Sequence, residues 1–246
     1  METTTPPSGE RRIGRWILAA MMWWTVACAG EAESAEAPSG TPRPDALEPG
    51  SGSSSSPEGE TPSTGLCPDD EADLRRPDNW MRDSHCPGVD ADHGKVFDDT
   101  LVHRLDIEMS PEAYAASLAD LDQKLGTAGR GELDGDSTPA WFSMTLRYDG
   151  QTWTDVGMRY KGNSSLRTAH DMGVRKYAFR LNLDMYADET PSTADQRFFG
   201  FKKMTFSNGF KDPSFLRDKV GADIFREGGV PAARGAFAAI FVDAGE

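Results

Sequence analysis

Four blocks between Val156 and Val242 carry most of the recognisable pattern in this chain of 246 residues. They read VGMRYKGNSSL (Val156–Leu166), RKYAFRLNLDMY (Arg175–Tyr186), QRFFGFKKMTFSN (Gln196–Asn208) and FKDPSFLRDKVGADIFREGGVP (Phe210–Pro231). Apolar and polar residues alternate over Val174–Asp184 and again over Lys203–Ser207. That alternation predicts two strands, each with one buried face.

The fourth block predicts a helix of about four turns that begins after Asp212-Pro213 and ends at Gly228-Gly229. An apolar face at helical spacing is expected to be buried; it comprises Leu216, Val220 and Ile224, with Phe225 beside them. The following residues, Gly235–Val242, are apolar on both faces. Such a run is typical of a central strand.

The sequence that precedes these blocks predicts three more strands and a helix. Leu101–Met109 alternates and places His103 on its apolar face, as a core histidine. Ser110-Pro111-Glu112 is a helix start, and Gly126 ends that helix. Trp141–Tyr148 and Gln151–Tyr160 are joined by Asp149-Gly150, which suits a type I′ hairpin turn. The pattern as a whole predicts an α+β fold, with a mainly antiparallel sheet and two helices.

In their order and spacing, the four blocks resemble the CotH (spore coat protein H) kinase family, and the resemblance extends from Val96 to the end of the chain. It implies the N-terminal half of an atypical protein kinase domain. It further implies an extracytoplasmic kinase that uses ATP and Mg to phosphorylate Ser or Thr in secreted or surface proteins. A non-catalytic, surface-displayed coat or adhesion-type binding module is the alternative.

In that family the catalytic and metal-binding acids lie in blocks that would follow Glu246. We therefore expect residues 96–246 to be a CotH-kinase-like domain truncated at its C-terminus, with no catalytic or metal-binding residues and no phosphate transfer. The strand Gly235–Val242 would then be left at an edge of the sheet, where an apolar strand is prone to aggregate.

The best site candidate is the run Lys161, Gly162, Asn163, Ser164 and Ser165. A loop of Gly and small hydroxyl residues that leaves a strand can bring backbone N–H groups up to a phosphate, and a flanking lysine adds a point charge. An ordinary tight turn is the alternative interpretation. The resemblance favours a cofactor-binding role, because this block is the strongest part of it.

Lys176 is the second candidate, predicted in mid-strand on the polar face. A strand lysine of kinases holds the nucleotide phosphates and pairs with an acid on a nearby helix. The predicted helix offers three such acids: Asp218, Asp223 and Glu227. Arg180 shares the face of Lys176 and could substitute for it, whereas a lysine that simply faces solvent is the alternative.

Charge is unevenly distributed in the chain, whose formal net charge is −14. Most of the excess acid lies in residues 29–99, ahead of the predicted domain. Nucleic-acid binding is excluded as an expectation, because its proteins need a basic footprint. Between Val156 and Lys219, twelve basic and seven acidic residues give a local excess of positive charge. That excess suits an anion such as a nucleotide phosphate, or simply a solvated basic face.

Residues 1–28 resemble a secretory leader: three arginines precede the apolar run Trp16–Ala27, which is too short to span a bilayer. The run ends in Thr25-Val26-Ala27-Cys28, which is similar to a bacterial lipoprotein cleavage box, so Cys28 is the expected lipidation site. An ordinary signal-peptidase site, or a start codon assigned too early, are the alternatives. Residues 29–66 are rich in Ser, Gly, Pro and Glu and predict a disordered linker. The protein is therefore expected outside the cytoplasm, as a membrane-anchored lipoprotein or a secreted protein.

Residues 67–95 form a polar segment bounded by Cys67 and Cys86, which are expected to form a disulfide in an oxidising compartment. A metal site of these cysteines with His85 and His93 is the rival interpretation, although the spacing fits no zinc pattern. Asp90-Ala91-Asp92-His93-Gly94 departs from the EF-hand pattern and is better explained as a polar turn.

Overall fold

The computed structural model describes residues 67–68, 70, 74–126 and 138–245, together with the backbone of residues 20–26. The predicted lipidation site Cys28, the predicted linker 29–66, and the predicted leader apart from residues 20–26 lie outside the described residues. Within them, no helix is long and apolar enough to cross a bilayer.

The described chain forms seven strands, five α-helices and one 3-10 turn. The strands are β1 (Ala20–Val26), β2 (His103–Glu108), β3 (Phe142–Tyr148), β4 (Gln151–Tyr160), β5 (Phe179–Asn182), β6 (Lys203–Ser207) and β7 (Arg234–Asp243). The helices are α1 (Arg82–His85), α2 (His93–Val96), α3 (Pro111–Leu125), α4 (Ser164–Asp171) and α5 (Arg217–Glu227), and the 3-10 turn is Pro191–Thr193. The α+β class is as predicted. The expectation of two helices is wrong, because α1, α2 and α4 are too short to show a helical period in the sequence.

The strands form one curled, mixed sheet in the order β1-β6-β5-β4-β3-β2-β7, and β1 also pairs with β7, so the sheet closes on itself. All neighbouring strands are antiparallel except β2 and β7, which are parallel. The prediction that the last strand is central is confirmed, since β7 pairs with both β1 and β2. The expectation that it is left at an edge is wrong for the same reason.

The hairpin at Asp149-Gly150 and the first long helix, α3, were predicted correctly from local sequence signals. Asp149 and Gly150 both have positive φ, 49° and 74°, as a type I′ turn requires. The Ser110 hydroxyl accepts a hydrogen bond from the Ala113 N–H at the start of α3, and Gly126, with φ 69°, ends that helix. In both cases the residues that decide the conformation lie within a few positions of one another.

The core lies inside the curled sheet. Its largest fully buried side chains include Leu105, Leu146, Trp153, Leu181 and Phe206, drawn from five different strands.

His103 belongs to this core, as predicted, with 1% of its surface exposed. Its two ring nitrogens lie 2.8 Å from the Tyr148 hydroxyl and 2.9 Å from the Asp98 carbonyl oxygen, so a buried polar ring is satisfied.

The predicted strand Val174–Asp184 is shorter than expected, because only Phe179–Asn182 forms β5. The partner strand β4 ends at Tyr160, which lies opposite Phe179. One more hydrogen bond, from the Lys161 N–H to the Ala178 carbonyl at 2.9 Å, extends the pairing before the chain turns into α4. Residues 174–177 alternate in sequence but have no strand beside them, so they are not part of the ladder.

Helix α5 also departs from the prediction, in both start and orientation. The Asp212 carboxylate accepts hydrogen bonds from the Ser214 and Arg217 N–H groups, which forms a turn and delays the helix until Arg217. The face expected to be buried is exposed: Leu216 49%, Val220 47%, Ile224 62% and Phe225 57%. Within the described residues nothing covers this apolar face.

The segment 67–95 packs against the sheet through its cysteine-bounded half. Cys67 and Cys86 are joined by a disulfide. His85 is buried and stacks on Trp153 of β4, with ring centroids 4.5 Å apart. Arg76 donates hydrogen bonds to the carbonyls of residues 192 and 194. The Asp92 carboxylate accepts from the Lys95 N–H and caps α2, so the Asp90–Gly94 run begins a short helix.

Candidate phosphate-binding site

The sequence-predicted loop lies where β4 ends and α4 begins. Lys161 follows the last residue of β4, Gly162 adopts a φ of +115°, and α4 starts two residues later at Ser164. That φ favours glycine, whereas a Cβ atom at residue 162 would closely approach only the Ser165 hydroxyl, which can rotate away. The prediction of a loop is therefore right for residues 161–163, while Ser164 and Ser165 are the first turn of a helix.

The N-terminus of α4 has free backbone donors. The Asn163 side chain makes no capping hydrogen bond, and the helical hydrogen bonding begins with the Arg167 N–H, which donates to the Asn163 carbonyl at 3.0 Å. The amides that precede Arg167 therefore have no acceptor within the helix. These amides form the positive end of the helix dipole, which favours an anion.

The body of α4 is held firmly against the rest of the domain. Leu166 is fully buried and Ala169 is 7% exposed, so one side of the helix contacts the core. At its other end, the His170 Nε2 atom lies 2.8 Å from the Asp122 carboxylate of α3. This anchoring fixes the direction in which the free amides point.

Three cations lie beside this helix start on one face of the sheet. Arg159 of β4 and Arg180 of β5 are directly opposite each other in the antiparallel register. Lys161 is two residues beyond Arg159, so it shares the same face. Within the described part of the chain none of the three has an acidic partner, and two like-charged residues face each other across the strands.

Burial and neighbouring positive charge lower the pKa values of two of these side chains. Burial lowers the pKa of Lys161, and the nearby Arg180 charge lowers it further. The pKa of Arg159 is lowered by the same two causes in the same order. The Arg159 guanidinium also lies 4.6 Å from the centre of the Trp141 ring, which orients it. An anion bound here would relieve repulsion that the protein otherwise carries.

Lys176 lies outside the strand in which it was predicted. Its ammonium nitrogen is 4.1 Å from the centre of the Phe215 ring, and burial lowers its pKa. The expected ion pair with a helix acid is not formed: Asp223 binds Lys219 and Arg226 of its own helix. Lys176 is therefore a cation held on an aromatic face, without an acidic partner among the described residues.

Sequence reasoning missed two members of the site. Arg159 could have been found, because alternation along β4 places it on the face of Lys161. Phe215 could not, because it lies 39 positions after Lys176 in the chain and meets it only through the turn at Gly209, where a Cβ would strike the Phe215 ring.

The arrangement brings three cations and the uncapped start of a helix together at a strand–loop–helix junction. Comparison with known protein families adds one finding: the family model described as CotH kinase protein matches residues 158–245. This match confirms the resemblance to the CotH kinase family for that part of the chain, which runs from the end of β4 through β7. The resemblance that we drew over residues 96–157 lies outside the matched range. No curated protein and no solved structure matches the chain.

Proposed function

We propose that this protein is a CotH-type, kinase-related protein that acts outside the cytoplasm and binds the phosphate tail of ATP. The phosphate groups would lie against the α4 N-terminus, with Arg159, Lys161 and Arg180 as charged donors. Lys176, on the Phe215 ring, would supply a fourth positive charge nearby.

One observation carries this proposal: cations converge, without acidic partners among the described residues, beside free helix amides. Placing like charges opposite each other on neighbouring strands costs stability. A polyanion compensates for that cost, and arginine binds phosphate through two parallel hydrogen bonds. The match of residues 158–245 to a kinase family favours a nucleotide over other anions.

The described residues support binding more directly than catalysis. A phosphoryl-transfer site needs carboxylates for magnesium and for positioning the nucleophile. Within the described residues, no group of three or more His, Cys, Asp or Glu side chains converges as a metal site. We therefore derive no transfer step from these residues.

The wider role that we propose follows the family. A complete CotH-type kinase would phosphorylate Ser or Thr side chains of secreted or surface proteins. A leader ending at Cys28 would attach the protein to a membrane lipid, and residues 29–66 would hold the domain away from the surface as a flexible tether.

A second candidate function is a non-catalytic binding module on the cell surface. The exposed apolar face of α5, with Ile224 62% and Phe225 57% exposed, favours it. Contiguous exposed apolar residues of this kind commonly mark a protein-interaction site. The two functions are separable, because only the first requires the cations of β4 and β5.

Nucleotide binding to the full chain tests the first function. Calorimetric titration with AMP, ADP and ATP is expected to show affinity that rises with the number of phosphates. Arg180→Gln should weaken ATP binding about tenfold, the effect of losing one hydrogen bond to a charged group. Arg180→Lys should recover part of it.

The matched control is Arg104→Gln, which removes an exposed guanidinium of β2 that is already paired with Asp106. It changes the net charge equally and should leave ATP affinity unchanged. Equal weakening by both variants would show a general charge effect and would refute the site. So would an ATP affinity no greater than that of AMP.

A further inference from the structure

The space between β6 and β7, called the slot below, is filled by residues of the predicted leader. β1 lies between β6 and β7 and runs antiparallel to both. Three of its residues pair with β6, and all seven, Ala20–Val26, pair with β7 from Ile240 to Arg234. β1 is therefore the strand that closes the sheet.

Both strands that flank the slot contribute buried side chains. On β7, Ala236 and Ala238 are fully buried and Ile240 is 2% exposed. On β6, Met204 and Phe206 are buried as well. The run from Gly235 to Val242 contains no charge and no proline, the two devices by which natural edge strands avoid unwanted pairing. Such a strand is suited to a permanent neighbour.

Removal of the predicted leader would take that neighbour away. Cleavage at Cys28 removes every residue of β1, and seven paired positions of β7 then lose their partner strand. Unpaired backbone groups at such an edge are a template for another strand. The slot would therefore be closed in the precursor and open in the processed protein.

We propose that the slot between β6 and β7 is a strand-accepting interaction surface. Residues 20–26 occupy it in the precursor, and an extended, uncharged strand of a partner polypeptide occupies it after processing. The chemistry of the partner is set by the strand it replaces: β1 reads AMMWWTV, seven residues without a charge. The partner strand must run antiparallel to both β6 and β7. This proposal depends on the leader prediction and is independent of nucleotide binding.

The test uses the full chain, synthesised without processing under oxidising conditions, with a specific protease site introduced into the Ser/Gly-rich run 51–56. After cleavage, a labelled peptide containing AMMWWTV between solubilising lysines is added in excess. Its uptake is followed by fluorescence anisotropy, and amide hydrogen exchange reports the protection of residues 234–240. A peptide with Trp23→Pro is the matched control, because proline removes one ladder hydrogen bond.

We expect the peptide to replace the leader fragment. Amides of residues 234–240 should exchange at least about tenfold faster when the fragment has left, and regain protection with the peptide but not with its proline variant. Equal binding of both peptides would indicate apolar adsorption and refute the proposal. Unchanged protection after fragment loss would refute it too. Unfolding that the peptide does not reverse would show that residues 20–26 are a permanent part of the fold, again against the proposal.

Discussion

Removing one cation of the proposed phosphate site should stabilise the nucleotide-free protein. Arg159 and Arg180 are directly opposite each other across β4 and β5, and the Arg180 charge lowers the pKa of Arg159. Their repulsion is present whenever the site holds no anion. Arg180→Gln removes that repulsion and leaves Arg159 stacked on Trp141. The variant should therefore bind ATP more weakly and yet unfold at a higher temperature.

The expected gain in stability can be estimated from the strand register, which places the two arginines opposite each other, and from the exposure of Arg180. Like charges directly opposite on neighbouring strands destabilise by about 0.2–1 kcal/mol. Arg180 is exposed, so solvent screening places the gain near the lower end, at about 0.3–0.5 kcal/mol. For a domain of this size, that corresponds to an increase in Tm of about 1–2 °C.

Thermal unfolding at two salt concentrations provides the assay. At about 10 mM salt the Debye length is about 30 Å, and at about 1 M it is about 3 Å, so the gain should be present in the first and vanish in the second. Arg104→Gln, which breaks the pair with Asp106, should be neutral or slightly destabilising. A lower Tm for Arg180→Gln at low salt, or a gain that persists at high salt, would show that repulsion between the two arginines is not the cause.

Three further outcomes follow from the same structure. Gly162→Ala should cost about 1–3 kcal/mol in urea unfolding and abolish ATP binding, because residue 162 has a φ of +115°; Gly221→Ala, in open space within α5, should instead stabilise by about 0.5–1 kcal/mol. Burial lowers the pKa of His85 to about 4, so the unfolded chain takes up a proton first as pH falls below about 6.5. The contribution of His85 to the unfolding free energy should therefore drop by about 2 kcal/mol between about pH 7 and pH 5, and His85→Gln should remove that part of the pH dependence; an unchanged pH dependence in the variant would contradict this. Ile224→Gln should change stability by less than about 0.5 kcal/mol because Ile224 is exposed, whereas Leu166→Ala should cost about 2–5 kcal/mol; a large loss at residue 224 would mean that the α5 face is covered.

Sequence predicted most of the strands and both long helices, because their signals are local. The hairpin at Asp149-Gly150 and the cap at Ser110 involve residues a few positions apart, and their conformations follow from φ preferences and nearby hydrogen bonds. Where a prediction failed, a distant partner decided the outcome. Val174–Asp184 alternates throughout, yet the strand extends only as far as β4 lies beside it. The apolar positions of α5 were assigned to the core, but an amphipathic pattern does not show whether another element covers the face.

The same division holds for the candidate site. The run Lys161–Ser165 was identified from residue types alone, since glycine and small hydroxyl residues after a strand suit phosphate binding whatever surrounds them.

The sequence by itself determined the CotH-like blocks, the periodicity of the strands, and the composition of the leader and the linker. The tertiary structure alone placed Arg180 opposite Arg159, Lys176 on Phe215, and residues 20–26 between β6 and β7. The reason is physical: local conformation depends on neighbours within one or two turns, whereas strand register and ring contacts join residues that are tens or hundreds of positions apart.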